Sequence, residues 1–347
     1  MNYKFEIPNI NKSIIKVIGV GGGGGNAVNY MYNQGIVGVE FIVCNTDAQA
    51  LKSSPVPNKL PLGNVGLGAG SIPEKAKQFA IEDKEKIREV LEGTRMLFVT
   101  AGMGGGTGTG AAPVIAKIAK DMDILTVGIV TMPFGFEGPK KRDVAAKGLE
   151  ELKANSDAVL VIMNDKLQQI YPNLNFKQAF GQADIILTQA AKSIAEIIGD
   201  SGFINIDLED VNTVMKNAGN ALMGFGVANG ENRAERAADM ALHSPLLNNT
   251  DITGATNILV SITADEDMFN MEEFGIINNY FQEKAEGNAF LKPGVRLVKD
   301  FGDSLSVTVI ATGFEPDANA KQPQKIVHDL HSNNKVKVEP PTSNPVF

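Results

Sequence analysis

Two glycine clusters are the stretches of this sequence best placed to do chemistry. The first, Gly19-Val20-Gly21-Gly22-Gly23-Gly24-Gly25-Asn26, follows a β-branched run and precedes a helical pattern. The second, Gly102-Met103-Gly104-Gly105-Gly106-Thr107-Gly108-Thr109-Gly110, also falls between a strand pattern and a helix pattern. A strand that turns through glycine into a helix aims bare backbone amides and the positive end of the helix dipole at an incoming phosphate. Side chains would block that approach, so glycine is required. The first cluster also satisfies G-x-G-x-x-G, and taken alone it suits a dinucleotide dehydrogenase equally well, with Asp47 as the acid ending the second strand. A dehydrogenase has no need of a second loop this rich, and two such loops in one domain suggest a triphosphate gripped from two sides. No G-x-x-x-x-G-K-[ST] occurs, which excludes a P-loop NTPase.

The elements that must carry these loops are legible from hydrophobic patterning. Strands are expected at 14–20, 39–44, 96–101, 124–131 and 158–163. Helices are expected at 26–34, 74–92, 111–121 and 142–155, with a loop over 52–72. Strands alternating with helices imply βαβ units and a parallel, Rossmann-like sheet. Residues 176–198 are apolar nearly all round, as in a helix buried between two layers. After it, helices are expected at 207–220, 231–242 and 271–286, and strands at 258–263, 295–298 and 306–311. The expected architecture is α/β: a flexible arm over 1–12, a nucleotide-binding domain over 13–175 and a long central helix over 176–200. A second α/β domain with a mixed sheet follows over 201–315, and then a disordered tail over 316–347, poor in large apolar residues.

With 347 residues, 43% hydrophobic and 21% charged, the chain has enough apolar material for more than one ordinary core. The net charge of −8 argues against nonspecific nucleic-acid binding, which needs a positive surface. It leaves a nucleotide pocket open, because backbone amides hold phosphate without Lys or Arg. One cysteine, Cys44, cannot form an internal disulfide and reads as a small buried strand residue in a reducing compartment. No apolar run is long enough to span a membrane, and the polar N-terminus carries no export signal.

Gly104–Gly110, GGGTGTG, is identical to the signature loop of the tubulin/FtsZ family, and the chain resembles the cell-division branch of that family. Supporting stretches are GVGGGGGNAV (19–28), NTDAQAL (45–51), PFGFEG (133–138), NDKL (164–167), NIDLED (205–210), SPLL (244–247) and ATGF (311–314), so the resemblance covers about residues 13–315. It implies a GTPase that binds GTP or GDP with Mg²⁺ on the phosphates, assigns no certain protein ligand to the metal, and polymerises head-to-tail with copies of itself. It implies work in the cytoplasm at the division site, with division proteins and membrane anchors as partners, and neither nucleic-acid binding nor membrane insertion. By resemblance, Gly22, Gly23, Gly24, Gly25 and Asn26 hold the inner phosphates. Gly105, Gly106, Thr107, Gly108 and Thr109 hold the outer ones. Glu137 meets the ribose, with Thr131, Lys141 and Asn164 nearby. Phe180 and Asp184, one helical turn apart, meet the guanine: the ring stacks and the carboxylate accepts from N1–H and the exocyclic amine, where adenine would offer an acceptor. Asn205, Asp207 and Asp210 reach the γ-phosphate of the next subunit and orient the attacking water, so that assembly and hydrolysis are one mechanism. Read without the resemblance, Asp207 is a helix N-cap, and the two roles are compatible.

The sequence departs from the family in three places. Lys141 stands where the family usually has Arg, with Arg142 beside it and Pro139 inserted, and Lys cannot make the bidentate contact. The loop GLGAGSIPE (66–74) is shortened upstream and carries Ser71-Ile72 where a small residue and Asn are usual, with Ala76 in place of a glycine. The stretch 339–347 does not resemble the family's terminal anchor-recruiting peptide. Lys141 and the altered 66–74 loop motivate a second reading, a nucleotide-dependent structural filament with little catalysis.

Overall fold

The computed structural model describes residues 14–36, 38–64, 66–170, 175–199, 203–243 and 251–314. The expected arm over 1–12 and tail over 316–347 lie outside the described residues. β1 (Ile15–Val20), β2 (Val39–Asn45), β3 (Asn58–Pro61), β4 (Met96–Gly102), β5 (Leu125–Met132) and β6 (Ala158–Met163) run parallel, in the spatial order β3-β2-β1-β4-β5-β6. Apart from the short edge strand β3, their largely buried, β-branched-rich cores fit a sheet covered on both faces. The sheet then continues through β7 (Gly219–Asn229), β10 (Ser304–Thr312), β8 (Asn257–Asp265) and β9 (Phe290–Val298). β10 is antiparallel to both of its neighbours, while β8 and β9 pair in parallel, which makes this half mixed. The two halves meet where β6 pairs with β7 at Ala158↔Gly219 and Val159↔Asn220.

The helices of the first half are α1 (Gly21–Asn33), α2 (Ala48–Ser53), α3 (Pro73–Glu82), α4 (Lys84–Leu91), α5 (Thr107–Asp121), α6 (Pro139–Asn155) and α7 (Asn164–Ile170). α8 (Phe176–Gly199) follows, and its Ala183, Ile186, Leu187, Ala190, Ala191 and Ile194 share a core with Val127 and Ile129 of β5 and with Leu259 and Ile310 of β8 and β10. One helix thus packs on both halves of the sheet, as its apolar circumference implies. The second half adds α9 (Leu208–Met215), α10 (Arg233–Leu242) and α11 (Met271–Lys284), with a separate core around Ile258, Val260, Phe281 and Val307.

Four sequence expectations need correction. The first and fifth helices begin at Gly21 and Thr107, inside the glycine clusters, rather than at Asn26 and Ala111. Glycine has poor helix propensity, yet here tertiary contacts set the start. The helix expected over 74–92 is two helices, broken at Asp83, whose side chain accepts from Gly63 N at 2.7 Å and pairs with Lys86 at 2.5 Å. The expected 52–72 loop contains the end of α2 and the short β3. The helix expected over 207–220 stops at Met215, and Asn217 turns through φ 55° into an eleven-residue strand that patterning missed. Its glycines hide it. Gly226 is required there, since a Cβ would meet Ala237 O at 2.2 Å where α10 crosses the strand.

Candidate functional site

The C-terminal ends of β1, β2, β4 and β5 open into a single cleft of about 510 Å³. That is the end of a doubly wound parallel sheet where ligands bind, and the volume suits one small molecule. At one end α1 and α5 present their first turns to each other. Gly22, Gly23 and Asn26 line it from α1, and Gly105, Gly106, Thr107 and Gly108 from the second cluster. The two loops touch: Gly21 has φ +74°, and a Cβ there would meet Gly108 N at 2.8 Å. Only glycine permits that approach, and it brings two sets of orphan helix amides to bear on one point. Thr46 Oγ1 and Thr107 Oγ1 lie 2.8 Å apart and tie the end of β2 to the second loop.

Thr131, Glu137, Lys141 and Asn164 line the middle of the cleft. Glu137 caps its own turn, with Oε1 accepting from Phe134 N at 2.8 Å and Oε2 paired with Lys141. Asn164 is buried, and its Oδ1 has no hydrogen-bond partner among the described residues. A buried acceptor left open in a cleft is a costly arrangement that a ligand hydroxyl or amine would relieve. Arg142 pairs with Asp165 and is not part of the lining. At the far end, Phe180, Ala183, Asp184 and Leu187 of α8 close the cleft. Phe180 meets Phe134 edge-on at 5.0 Å, and Phe134 stacks on Phe136 at 5.0 Å. Burial pushes the Asp184 carboxyl up from 3.8 to about 6. A carboxylate held among Ala183, Leu187 and an aromatic ring is stabilised by a ligand that donates to it.

Three of the expected contact residues do not line the cleft, and two of them have packing or loop-shaping contacts elsewhere. Gly24 is buried against β4, where a Cβ would meet Thr100 O at 2.2 Å, and it sets how closely α1 packs. Thr109 is also buried and accepts from Gly104 N at 2.8 Å, which shapes the second loop from behind. Gly25 does not line the cleft and has open space around its Cα. Conversely Asn45, Thr46, Gly68, Ala69 and Ser71 line the cleft without having been singled out as site residues. The signal for them was the pair of stretches 45–51 and 66–74, which the resemblance had already marked.

Asn205, Asp207 and Asp210 lie outside this cleft. Asp207 caps α9, and its Oδ1 accepts from Asp210 N at 2.8 Å while Asp210 Oδ2 accepts from Asp207 N at 3.1 Å, a reciprocal capping box. Desolvation pushes the Asp210 carboxyl up, but hydrogen bonding to Lys292 and Asp207 outweighs it and holds the group below the usual carboxylate range. Among the described residues no cluster of three or more His, Cys, Asp or Glu is set to hold a metal. The cleft offers hydroxyls of Thr46 and Thr107 beside the amide-lined end, a donor set that fits a Mg²⁺ carried mainly by phosphate oxygens and water.

The model of the Tubulin/FtsZ family GTPase domain matches residues 14–172, and that of the FtsZ family C-terminal domain matches residues 219–315. The cell division protein FtsZ of Buchnera aphidicola subsp. Schizaphis graminum is 48% identical over 308 residues, covering 88% of this chain and 80% of the relative. That of Pseudomonas aeruginosa is 48% identical over 319 residues, covering 91% and 80%. The chain belongs to the FtsZ family. It therefore carries a tubulin-like GTPase domain of the cell-division type. The solved FtsZ dimer, empty, of M. jannaschii superposes with a TM-score of 0.80 at 39% identity, covering 87% of this FtsZ-family chain and 88% of that one. CetZ2 from Haloferax volcanii, in a GTPgS-bound protofilament, is 21% identical with a TM-score of 0.75, covers 87% and 93%, and shares the fold.

Proposed function

We propose that this protein binds GTP in the cleft between its two glycine loops and polymerises head-to-tail. It hydrolyses GTP where the 205–210 loop of one subunit meets the nucleotide of the next. The observation that carries the reading is a separation. The cleft has the groups to hold a purine nucleotide triphosphate, yet the acidic loop that would activate water does not line it. A second copy must bring the loop to the phosphates, and a contact of that kind repeats into an open filament. That the M. jannaschii relative was solved as a dimer supports self-association of this kind.

In this mechanism Asp184 accepts from guanine N1–H and the exocyclic amine, and Phe180 packs on the base. Glu137 and Asn164 meet the ribose, and the amides of Gly22, Gly23 and Gly105–Gly108 hold the phosphates. Asp207 and Asp210 of the neighbour orient water toward the γ-phosphorus. The water oxygen bonds to phosphorus as the bond to the β–γ bridging oxygen breaks, and GDP and phosphate leave. Mg²⁺, when bound, neutralises phosphate charge. The work is placed in the cytoplasm at the division site, in a septal ring with division proteins and membrane anchors as partners. Among the described residues no helix is long and apolar enough to cross a membrane.

The test is phosphate release against protein concentration, with light scattering on the same samples. The shared site predicts that both rise from one threshold. Turnover proportional to protein without scattering would overturn it. The pairing of Lys141 with Glu137 favours the second reading, a filament with little catalysis, because it occupies the cation beside the cleft. Scattering without phosphate release would support that reading, and Lys141→Arg would then be expected to restore turnover.

A further inference from the structure

The acidic loop is fastened along the outer edge strand of the sheet. Phe203 N and Ile204 N donate to Val295 O at 2.7 and 3.1 Å, and Val295 N donates back to Ile204 O at 3.0 Å. Ile204 and Val295 form an isolated antiparallel bridge. Gly294 leaves the space for this, since a Cβ there would meet Ile206 Cδ1 at 2.5 Å. Carrying the antiparallel register three residues further brings Asp207 level with Lys292. At that level Lys292 Nζ lies 2.9 Å from Asp210 Oδ1, both side chains remaining reachable at 34% and 26% exposure. The other oxygen of Asp210 is taken by the Asp207 amide. The charged groups facing this carboxylate are therefore Lys292 from β9 and Asp207 from its own cap, while Glu209 pairs with Arg95 at 2.8 Å.

We propose that Lys292 is a positioning residue for hydrolysis. Its ammonium fixes the direction of the Asp210 carboxylate and offsets the charge of the acidic pair against the γ-phosphate of the neighbouring subunit. This rests on the roles given above to Asp207 and Asp210. Two carboxylates approaching a triphosphate repel it, and a cation paired with one of them reduces that cost without donating to the cleft itself. A flexible lysine can stay on Asp210 while the water is oriented. An ion pair this exposed contributes little to folding stability, so its loss should be read in turnover and not in melting.

The experiment uses the full chain assembled with GTP and measures phosphate release per sedimented subunit across pH for Lys292→Met, Lys292→Arg and Asp210→Ala. Lys292→Met is expected to lower kcat on the order of tenfold with the GTP affinity of the unassembled chain unchanged. The acid limb of its kcat profile should move to higher pH, because Asp210 loses the cation that favours its ionised form. Lys292→Arg should recover most of the loss. Wild-type turnover and an unmoved acid limb in Lys292→Met, while Asp210→Ala is inactive, would overturn the role of Lys292 alone. Full turnover in Asp210→Ala would instead remove the reading of the loop, and this proposal with it. Should Lys292→Met fail to assemble by itself, co-assembly with wild-type chains gives the readout. Turnover falling in proportion to the variant's share upholds the proposal, and undiminished turnover overturns it.

Discussion

At the scale of single residues, Asp184 has the most at stake. Its carboxyl is held up to about 6 by burial, against an ordinary 3.8. The folded empty chain binds this proton more readily than the unfolded chain, so the stability of the empty chain falls as pH rises from about 4 to about 6. Nucleotide binding runs the other way. In the proposed binding mode the ionised carboxylate accepts from guanine, so affinity should weaken as pH drops below about 6, which calorimetric titration at about pH 5 and about pH 7.5 would read. Asp184→Asn should lose roughly tenfold to a hundredfold in GTP affinity, the range for a hydrogen bond to a charged group, while the empty variant melts no lower than the parent. Unchanged affinity would remove Asp184 from the base site. The identity of this residue was legible only through the family resemblance. Phe180 and Asp184 at helical spacing have no chemistry of their own until β5, α7 and α8 enclose them, and no local pattern announced the open acceptor on Asn164.

At the scale of elements, the glycines divide into two kinds that the sequence could not separate. Gly22 and Gly23 bare their amides to the cleft, whereas Gly24 lets α1 lie on β4 and Gly110 lets α5 lie under Pro73, whose carbonyl a Cβ would meet at 2.0 Å. Gly24→Ala should therefore destabilise the fold by about 1–3 kcal/mol through overpacking, seen as a lowered Tm, and weaken nucleotide binding by displacing the first turn of α1. A variant with the parental Tm would show that α1 can shift at no cost. Gly22→Ala, with open space around its Cα, should keep its Tm and lose affinity only. The parallel strands of the first half other than β3 were legible because buried β-branched runs bounded by turn residues favour strand at that length, whereas β3, Asn58–Pro61, has no such run. β7 was not, because glycines at 224 and 226 lowered its strand signal and the residues before it continue the helical pattern. The helix starts at Gly21 and Thr107 failed for the related reason that propensity is a weak prior where packing decides.

At the scale of the whole molecule, the cleft and the acidic loop are carried by different stretches of one sheet, so the proposed mechanism gives each chain two half-sites. Chains disabled at Asp210 and chains disabled at Asp184 should each turn over poorly alone and recover phosphate release when mixed, since the intact cleft of one meets the intact loop of the other. No recovery in mixed polymers would argue for a site complete within one chain. The same sheet has two outer edges. One is β3, only four residues long and ending at Pro61, which blunts it. The other is β9, nine residues long; Pro293 removes one amide from it, and the rest of an edge of that length still offers amides and carbonyls to a passing strand. The 203–206 segment lies over part of it through the Val295 hydrogen bonds. The acidic loop of the proposed mechanism thus also shields part of this edge from strand-to-strand aggregation, and a substitution that lifts it, such as Gly294→Val, should trade ordered GTP-dependent polymer for nucleotide-independent aggregate.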